Sequence, residues 1–487
     1  MDRISRRSFI RDTVATSAAL SLYPAALKNV RGANNTIRIA VIGLGNKGPQ
    51  HVRIFHELPG VRVVALCDVD QERLDKEKKK FTDRNESVKT FRDVRHLLDQ
   101  KDIDAVAIIA PNHWHALMGV WACQAGKDVY IEKPVSHEIW EGRQLIKAAH
   151  KYNRIMQAGT QSRSDVALAQ VFEYIHNGNL GNIKVVRGFC YKRRPSIGKV
   201  AGPQPIPKTV DYDLFTGPAP MDPLMRQQLH YDWHWQWDTG NGDIGNQGIH
   251  ELDMCRWALG QDQLPKSVIS IGGRFGYDDD GETANTQIAC YDYKPAPLIF
   301  EVRGLPYRKD ANGMDHFRGI RIGLVVECED GYFAGGKGGG WIYDNSNQRI
   351  KQYTSDGGSG HNANFIKAVR SRKKSDLNAP IEDGHLSTAL SHLGNISYRL
   401  GHEKTAAEIK EMIKTHSLFL KTFGRFEDHL FANWVDLSTN KAVIGPRLEF
   451  DPEKEAFISN SSFDSGFWAN TCLRRDYRQP FVLPDKI

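Results

Sequence analysis

The sequence predicts an α/β fold whose first third is a parallel sheet covered by helices on both faces, and three observations predict it. Short β-rich runs alternate with helical stretches from residue 36 onward, the first run empties directly into a glycine-rich loop, and the second run closes on an aspartate. The runs are TIRIAVIGLG, VRVVALCDVD, DAVAIIAPN, DVYIEKP and RIMQAGTQ, separated by helical stretches such as 70–82, 114–126 and 136–152. Apolar runs of this kind, alternating with helices, are buried on both faces of a parallel sheet.

The loop after the first run is Gly43-Leu44-Gly45-Asn46-Lys47-Gly48. In a strand–loop–helix setting Gly43 permits the tight turn, Gly45 lets the backbone approach a pyrophosphate, and Gly48 lets helix and strand pack closely; the helix N-terminus, with Asn46 and Lys47 in the turn, favours phosphate charge. Asp68 stands 25 residues after Gly43 and can accept hydrogen bonds from ribose hydroxyls, which favours NAD over NADP. Pro111-Asn112-His113-Trp114-His115 ends the third of these runs, at the sheet edge where ligands bind, so Asn112 and His115 are expected against the cofactor. The H-x-H spacing has no third ligand at recognisable distance, and no metal is expected.

Glu132-Lys133-Pro134 closes the next run. With the glycine fingerprint it makes this domain resemble the Gfo/Idh/MocA family of oxidoreductases, whose members join a Rossmann dinucleotide-binding domain to an α+β domain on a large, mostly antiparallel sheet. The resemblance implies that Glu132 and Lys133 meet the cofactor and that Lys133 sits between nicotinamide and substrate, its charge favouring an alkoxide. The stretch GNGDIGNQGIHELDMCRWALG (240–260) resembles the second signature of the family, in which His250 would be the general base. Asn246, His250 and Asp253 fall at i, i+4 and i+7, one face of a helix. Many relatives carry aspartate where this chain has Asn246; an amide orients a neighbour or binds a hydroxyl but adds no charge. TQIACYDY, LIFEVRGL and IRIGLVVECEDGYFAGG read as strands of the second domain, the glycines at 335–340 as a hairpin-like turn, and 385–415 as helical.

Residues 192–240 hold seven prolines and end in HYDWHWQWD, which predicts an ordered excursion with extended segments. In an extended chain Tyr231, Trp233, Trp235 and Trp237 share one face, and aromatic rings with His230 and His234 beside them suit a sugar; packing the excursion onto the core is the competing reading. Gln161 and Arg163 point toward the expected cleft, and His361 opens a helix that could face it. The organisation expected is 1–33 leader, 34–160 Rossmann domain, 161–402 substrate domain, and 403–487 extension.

The leader carries Ser5-Arg6-Arg7-Ser8-Phe9-Ile10, a twin-arginine pattern, followed by an apolar stretch (13–27) too short to span a bilayer, so export by the twin-arginine route is expected. Six basic and two acidic side chains in 1–31 account for +4 of the net charge of +7; the remaining +3 leaves no basic stripe for nucleic acid. Seven scattered cysteines without a C-x-x-C pair argue against a disulfide framework. An exported nicotinamide enzyme cannot exchange its cofactor, so the cofactor must be tightly bound and reoxidised in place. Two chemistries satisfy this: oxidation of a sugar or glycoside hydroxyl with return of the hydride to a second carbonyl, or net glycoside hydrolysis through transient oxidation, elimination and re-reduction. A non-catalytic sugar-binding relic is the third alternative. The resemblance also implies a homo-oligomer built through the second-domain sheet.

Overall fold

The computed structural model describes residues 36–487, so the twin-arginine pattern and the apolar stretch 13–27 lie outside the described residues. The first sheet contains β1 (Ile37–Ile42), β2 (Val61–Cys67), β3 (Lys89–Phe91), β4 (Ala105–Ile108), β5 (Asp128–Ile131) and β6 (Met156–Ala158). Their order is β3-β2-β1-β4-β5-β6 and every pair is parallel. β3 has only three residues, none fully buried, and so gives no apolar run to recognise. The strand order reverses between β1 and β4, which opens a crevice at the carboxyl ends of the strands. The helix Gly48–Glu57 enters there with proline in its first turn and buries Val52 and Phe55. The next helix, Gln71–Thr82, is capped by the Asp70 carboxylate, which accepts from Glu72 N at 3.1 Å.

The second sheet has 12 strands. In chain order these are β7 (Ile183–Tyr191), β8 (Ser267–Gly273), β9 (Thr286–Tyr291), β10 (Leu298–Arg303), β11 (Ile322–Cys328), β12 (Gly331–Gly336), β13 (Gly339–Asp344), β14 (Arg349–Thr354), β15 (His402–Lys404), β16 (Ala442–Ile444), β17 (Leu448–Asp451) and β18 (Ala456–Phe457). The path runs β14-β13-β12-β11-β7-β10-β9-β8-β16-β15, with β17 on β8 and β18 on β17; among the described residues only β7 and β10 of this sheet pair in parallel. One face packs on the helices Gly248–Ala258 and Ile381–Arg399, with Leu252, Cys255, Leu390 and Leu393 against Val186 and Phe300. Alternation along the strands turns Ile271 and Ile288 to the other face, where Phe419, Phe423 and Phe426 of the helix Ser417–Ala432 cover them. The helical region expected over 385–415 is broken: Ile381–Arg399 ends, β15 pairs with β16, and a short helix Ala406–Met412 follows.

The excursion 192–240 crosses the crevice of the first domain as a strap. On one lip Gln71 N donates to Thr209 O (3.0 Å), Asp211 N to Val69 O (3.0 Å), and Arg92 to the Val69 and Thr209 carbonyls (3.2 and 3.3 Å). On the other lip Trp114 Nε1 donates to Leu214 O (3.0 Å), and His113 Nε2 lies 3.1 Å from Phe215 O. Beneath the strap Val210, Phe215, Leu224, Leu229 and Trp233 form their own small core.

The chain's last segment fastens this strap. Arg478 donates from Nε to Gly217 O (2.9 Å) and from Nη2 to Asp213 O (2.8 Å), its Nη1 pairs with Asp213 Oδ1 (2.6 Å), and Arg475 Nη2 donates to Asp238 O (2.8 Å). Phe481 and Leu483 lie in the core of the first domain, Phe481 edge-on to Trp114 at 5.3 Å. The aromatic ring is fully enclosed, so Phe481→Ala should lower the unfolding free energy by about 3–5 kcal/mol. Chemical denaturation checks this; a loss under about 1 kcal/mol would show that the site is not a packed core position.

Candidate functional site

A cavity of about 430 Å³ lies at the crevice, between the glycine loop, the strap and the second sheet. At its first end Gly43, Gly45, Asn46, Lys47 and Asp68 line the wall. Gly43 has φ +87°, and a Cβ there would meet Ile109 O at 2.5 Å. At Gly45 a Cβ would meet nothing nearer than Arg73 Nη1 at 3.6 Å, so the loop backbone faces open space. Gly48 lies off the cavity, packed so that a Cβ would strike Gly43 O at 2.1 Å, which is the strand–helix contact expected of it. The Asp68 carboxylate accepts from Leu44 N (2.6 Å) and Asp70 N (2.9 Å), holding the turn while lone pairs remain for a ligand hydroxyl. An open loop at a helix start, with the Asp68 carboxylate at the end of the next strand beside it, fits an adenine dinucleotide.

In the middle of the cavity stand Asn112, His115, Glu132, Lys133 and Gln161. Asn112 Nδ2 donates to Asn241 Oδ1 at 2.9 Å, joining the two domains. The His115 ring lies between the Pro134 and Ala110 carbonyls (2.6 and 2.7 Å), which fixes the turn that carries Lys133. Burial opposes the charge of Glu132, but His51 (3.1 Å) and the neighbouring Lys133 cation hold its carboxyl well below the usual range. Gln161 Nε2 also donates to Glu132 Oε1 at 2.8 Å, so both residues are committed to holding the loop. Lys133 Nζ donates to Asn246 O at 2.7 Å, where the helical turn Gly242–Asn246 ends in free carbonyls. Burial lowers the pKa of Lys133.

The far end carries Asn246, His250, Tyr231, Trp233 and His234. Burial, and then the Lys133 charge, lower the His250 pKa to about 3, so the imidazole is neutral at ordinary pH. No side-chain hydrogen bond is made by this ring among the described residues. His234 stacks on Trp233 with centroids 3.7 Å apart and lies with Nδ1 2.6 Å from Tyr231 O; with that nitrogen donating, Nε2 is left as an acceptor. The Tyr231 hydroxyl accepts from Arg194 Nη1 at 3.1 Å.

Four residues expected at the cleft are elsewhere. Asp253 and Arg163 pair with each other at 2.8–3.0 Å, fully and nearly fully buried, and Ser387 Oγ donates to Asp253 at 2.7 Å. Gln247, between the helical turn Gly242–Asn246 and the helix Gly248–Ala258, keeps a helical backbone (φ −85°, ψ −44°), yet of the three residues Asn246 and His250 line the cavity and Asp253 does not. A buried guanidinium needs a carboxylate, and Arg163 takes this one. His361 donates to Ala158 O (2.9 Å) and meets Ser164 Oγ (2.7 Å), which uses both ring nitrogens away from the cavity. Trp235 lies under the Arg194 guanidinium at 5.3 Å, while Arg194 pairs with Asp243. The common aromatic face does not form, because Asp232–Trp235 is a 3₁₀ turn. Local bonds close that turn: Asp232 Oδ2 accepts from Gln228 N (3.1 Å), and Thr239 Oγ1 donates to Trp233 O (2.9 Å). Trp237 instead meets Arg399 at 4.9 Å, and His230 pairs with Asp70 at 2.9 Å on the lip of the strap.

Several lining residues carried no sequence signal: His51, Lys192, Gln247, Lys337 and Asn362. Gln247 Nε2 donates to Glu251 Oε1 (3.1 Å), and its Oε1 accepts from Lys192 Nζ (2.8 Å). Glu251 is buried, its other oxygen has no hydrogen-bond partner among the described residues, and burial pushes its pKa up to about 8.

Residues 37–160 match the family model described as "Oxidoreductase family, NAD-binding Rossmann fold", and residues 168–293 match "Oxidoreductase family, C-terminal alpha/beta domain". The chain is 22% identical over 395 residues to the myo-inositol 2-dehydrogenase of Thermotoga maritima, covering 77% of this chain and all of that protein. It is 33% identical over 174 residues to a glycosyl hydrolase family 109 protein of Shewanella baltica, covering 31% of this chain and 38% of the relative. Among solved structures, the WlbA dehydrogenase from Bordetella pertussis, in complex with NADH and UDP-GlcNAcA, superposes with a TM-score of 0.55 at 19% identity over 75% of this chain and 97% of the other.

Two outcomes follow from this geometry. Gly45→Ala should keep the melting temperature yet weaken dinucleotide binding by tenfold or more, about the effect of one lost close contact, whereas Gly43→Ala should destabilise the fold by about 1–2 kcal/mol through its left-handed backbone. Thermal melts with dinucleotide titration separate them, and equal melts for both variants would contradict the assignment. Glu251 is the second case: folded, it keeps its proton to about pH 8, and unfolded it ionises near 4.5. Between those values the folded state holds the extra proton, so stability falls as pH rises through the window. Relative to Glu251→Gln, the wild type should lose melting temperature across that window and stay level below it; a constant difference would contradict burial of the acid.

Proposed function

Because the chain belongs to the Gfo/Idh/MocA family of oxidoreductases, we propose that it oxidises a hydroxyl-bearing carbon of a sugar or glycoside to a keto-sugar while its nicotinamide dinucleotide stays bound between turnovers. When bound, the nicotinamide is the hydride acceptor. The observation that carries the reading is that Lys133 and His250 line one cavity with the glycine loop, under a strap hydrogen-bonded to both lips of the crevice.

The substrate C–H leaves as hydride and the hydroxyl proton goes to His250. A ring with a pKa near 3 is ready to accept but offers little driving force. The Lys133 ammonium offsets this by stabilising the alkoxide, and the Asn246 carbonyl keeps that ammonium pointed at the cavity. His234 offers an acceptor and Trp233 an apolar face for the sugar ring. Lys133, His250 and Asn246 are thus the proposed reaction centre. The loop with Asp68 and Asn112 is the proposed cofactor site, with NAD favoured over NADP by the Asp68 carboxylate.

The strap explains how a dinucleotide loaded before export by the twin-arginine route would be retained: release requires breaking contacts on both lips. The hydride must then return to a second carbonyl compound in the same site. The match to a family 109 glycosyl hydrolase supports the alternative, oxidation followed by elimination and re-reduction, with Tyr231 as a further acid or base.

Incubation with glycosides, without added dinucleotide, separates the readings: a keto-sugar supports the first, a free aglycone the second, and binding without turnover contradicts both. His250→Ala should cost about 10²-fold or more in turnover while leaving bound cofactor in place. Near-normal turnover would remove His250 from the chemistry.

A further inference from the structure

The charges at the far end of the cavity do not balance for a neutral sugar. Glu132 stands beside Lys133, and Asp243 pairs with Arg194 at 2.6 Å. Two lysines that line the same cavity form no ion pair with a carboxylate among the described residues. Lys192, at the end of β7, donates only to the neutral Gln247 amide, at 2.8 Å. Lys337, in the turn between β12 and β13, has neither an ion pair nor a side-chain hydrogen bond among the described residues. Asp165 holds the same turn by accepting from Gly338 N (2.6 Å), but it is committed to the Ala167 and Leu168 amides and to Ser355, and forms no ion pair with Lys337. Glu251, behind Gln247, is kept protonated by burial and so does not neutralise Lys192.

Resting on the oxidoreductase reading above, we propose that the substrate is anionic: a sugar or polyol bearing a carboxylate or phosphate, whose charge is received by Lys192 and Lys337 while its hydroxyl lies at Lys133 and His250. Lys192, Lys337, Lys133 and His250 all line the same cavity of about 430 Å³. A neutral sugar would leave two cations in the cavity wall without a counter-charge. An anion meeting them makes charge-assisted hydrogen bonds, the stronger class.

The test is calorimetric binding to the protein as isolated, with glucose, galactose and mannose set against glucuronate, galacturonate, mannuronate and glucose 6-phosphate. At least one anion should bind about tenfold or more tighter than its neutral partner, and Lys192→Met and Lys337→Met should each remove about tenfold of that preference while leaving neutral binding unchanged. Tight uronates would identify a carboxylate, and a tight phosphate ester alone would identify phosphate; either supports the proposal. Equal or tighter binding of the neutral sugars, no binding by any anion, or unchanged preference in both variants would overturn it. Absorbance of the bound cofactor at 340 nm is read in parallel. Anion preference without reduction would sink the oxidoreductase reading alone, and reduction by neutral sugars without anion preference would sink this inference alone.

Discussion

The hydrogen bonds between the strap and the loop after β2, Gln71 N to Thr209 O and Asp211 N to Val69 O, are the contacts on which the rest of the arrangement depends. They turn an open crevice into a roofed cavity. The roof is not self-supporting: its small apolar core is seated on Trp114 from one side, and Arg475 and Arg478 of the last segment clamp it at Asp213, Gly217 and Asp238. A backbone hydrogen bond contributes about 1 kcal/mol net, so a strap held on two lips opens rarely but is not locked. The C-terminal extension is therefore part of the first domain's architecture, although it begins by adding strands to the second sheet.

Beneath the roof, charge is arranged by burial. Glu132 is a buried anion sustained by His51, Gln161 and the Lys133 amide; Lys133 is a half-buried cation held by a helix-end carbonyl from the other domain. His250 stays neutral because burial, and then the Lys133 charge, oppose its protonation. The two domains meet across the cavity at the Lys133–Asn246 contact, which joins the loop after β5 to the end of the helical turn Gly242–Asn246.

Much of this was legible in the chain because it is local. β1 and the glycine loop are contiguous, Gly48 packs on Gly43 five residues before it, E-K-P follows β5 directly, and the GIH stretch opens the helix Gly248–Ala258. The errors were non-local. Arg163 and Asp253 satisfy each other across 90 residues, so neither is free for a ligand. Trp235 was placed by a two-residue period that holds only in extended chain, whereas side-chain-to-backbone bonds close a 3₁₀ turn there. Lys337 reaches the cavity only because a hairpin of the second sheet folds beside it, and an isolated lysine among glycines carries no signal of that. The role of residues 475–483 depends on Trp114 and the strap, elements far earlier in the chain.

The central claim is a dinucleotide held under the strap and not exchanged, and isotope exchange tests it most directly. Protein purified without added cofactor is incubated with an excess of heavy-labelled NAD, separated from it, denatured, and the released dinucleotide is weighed. The account predicts one unlabelled NAD per chain after many turnovers' worth of time. Release of mostly labelled NAD, or of no dinucleotide at all, would contradict it.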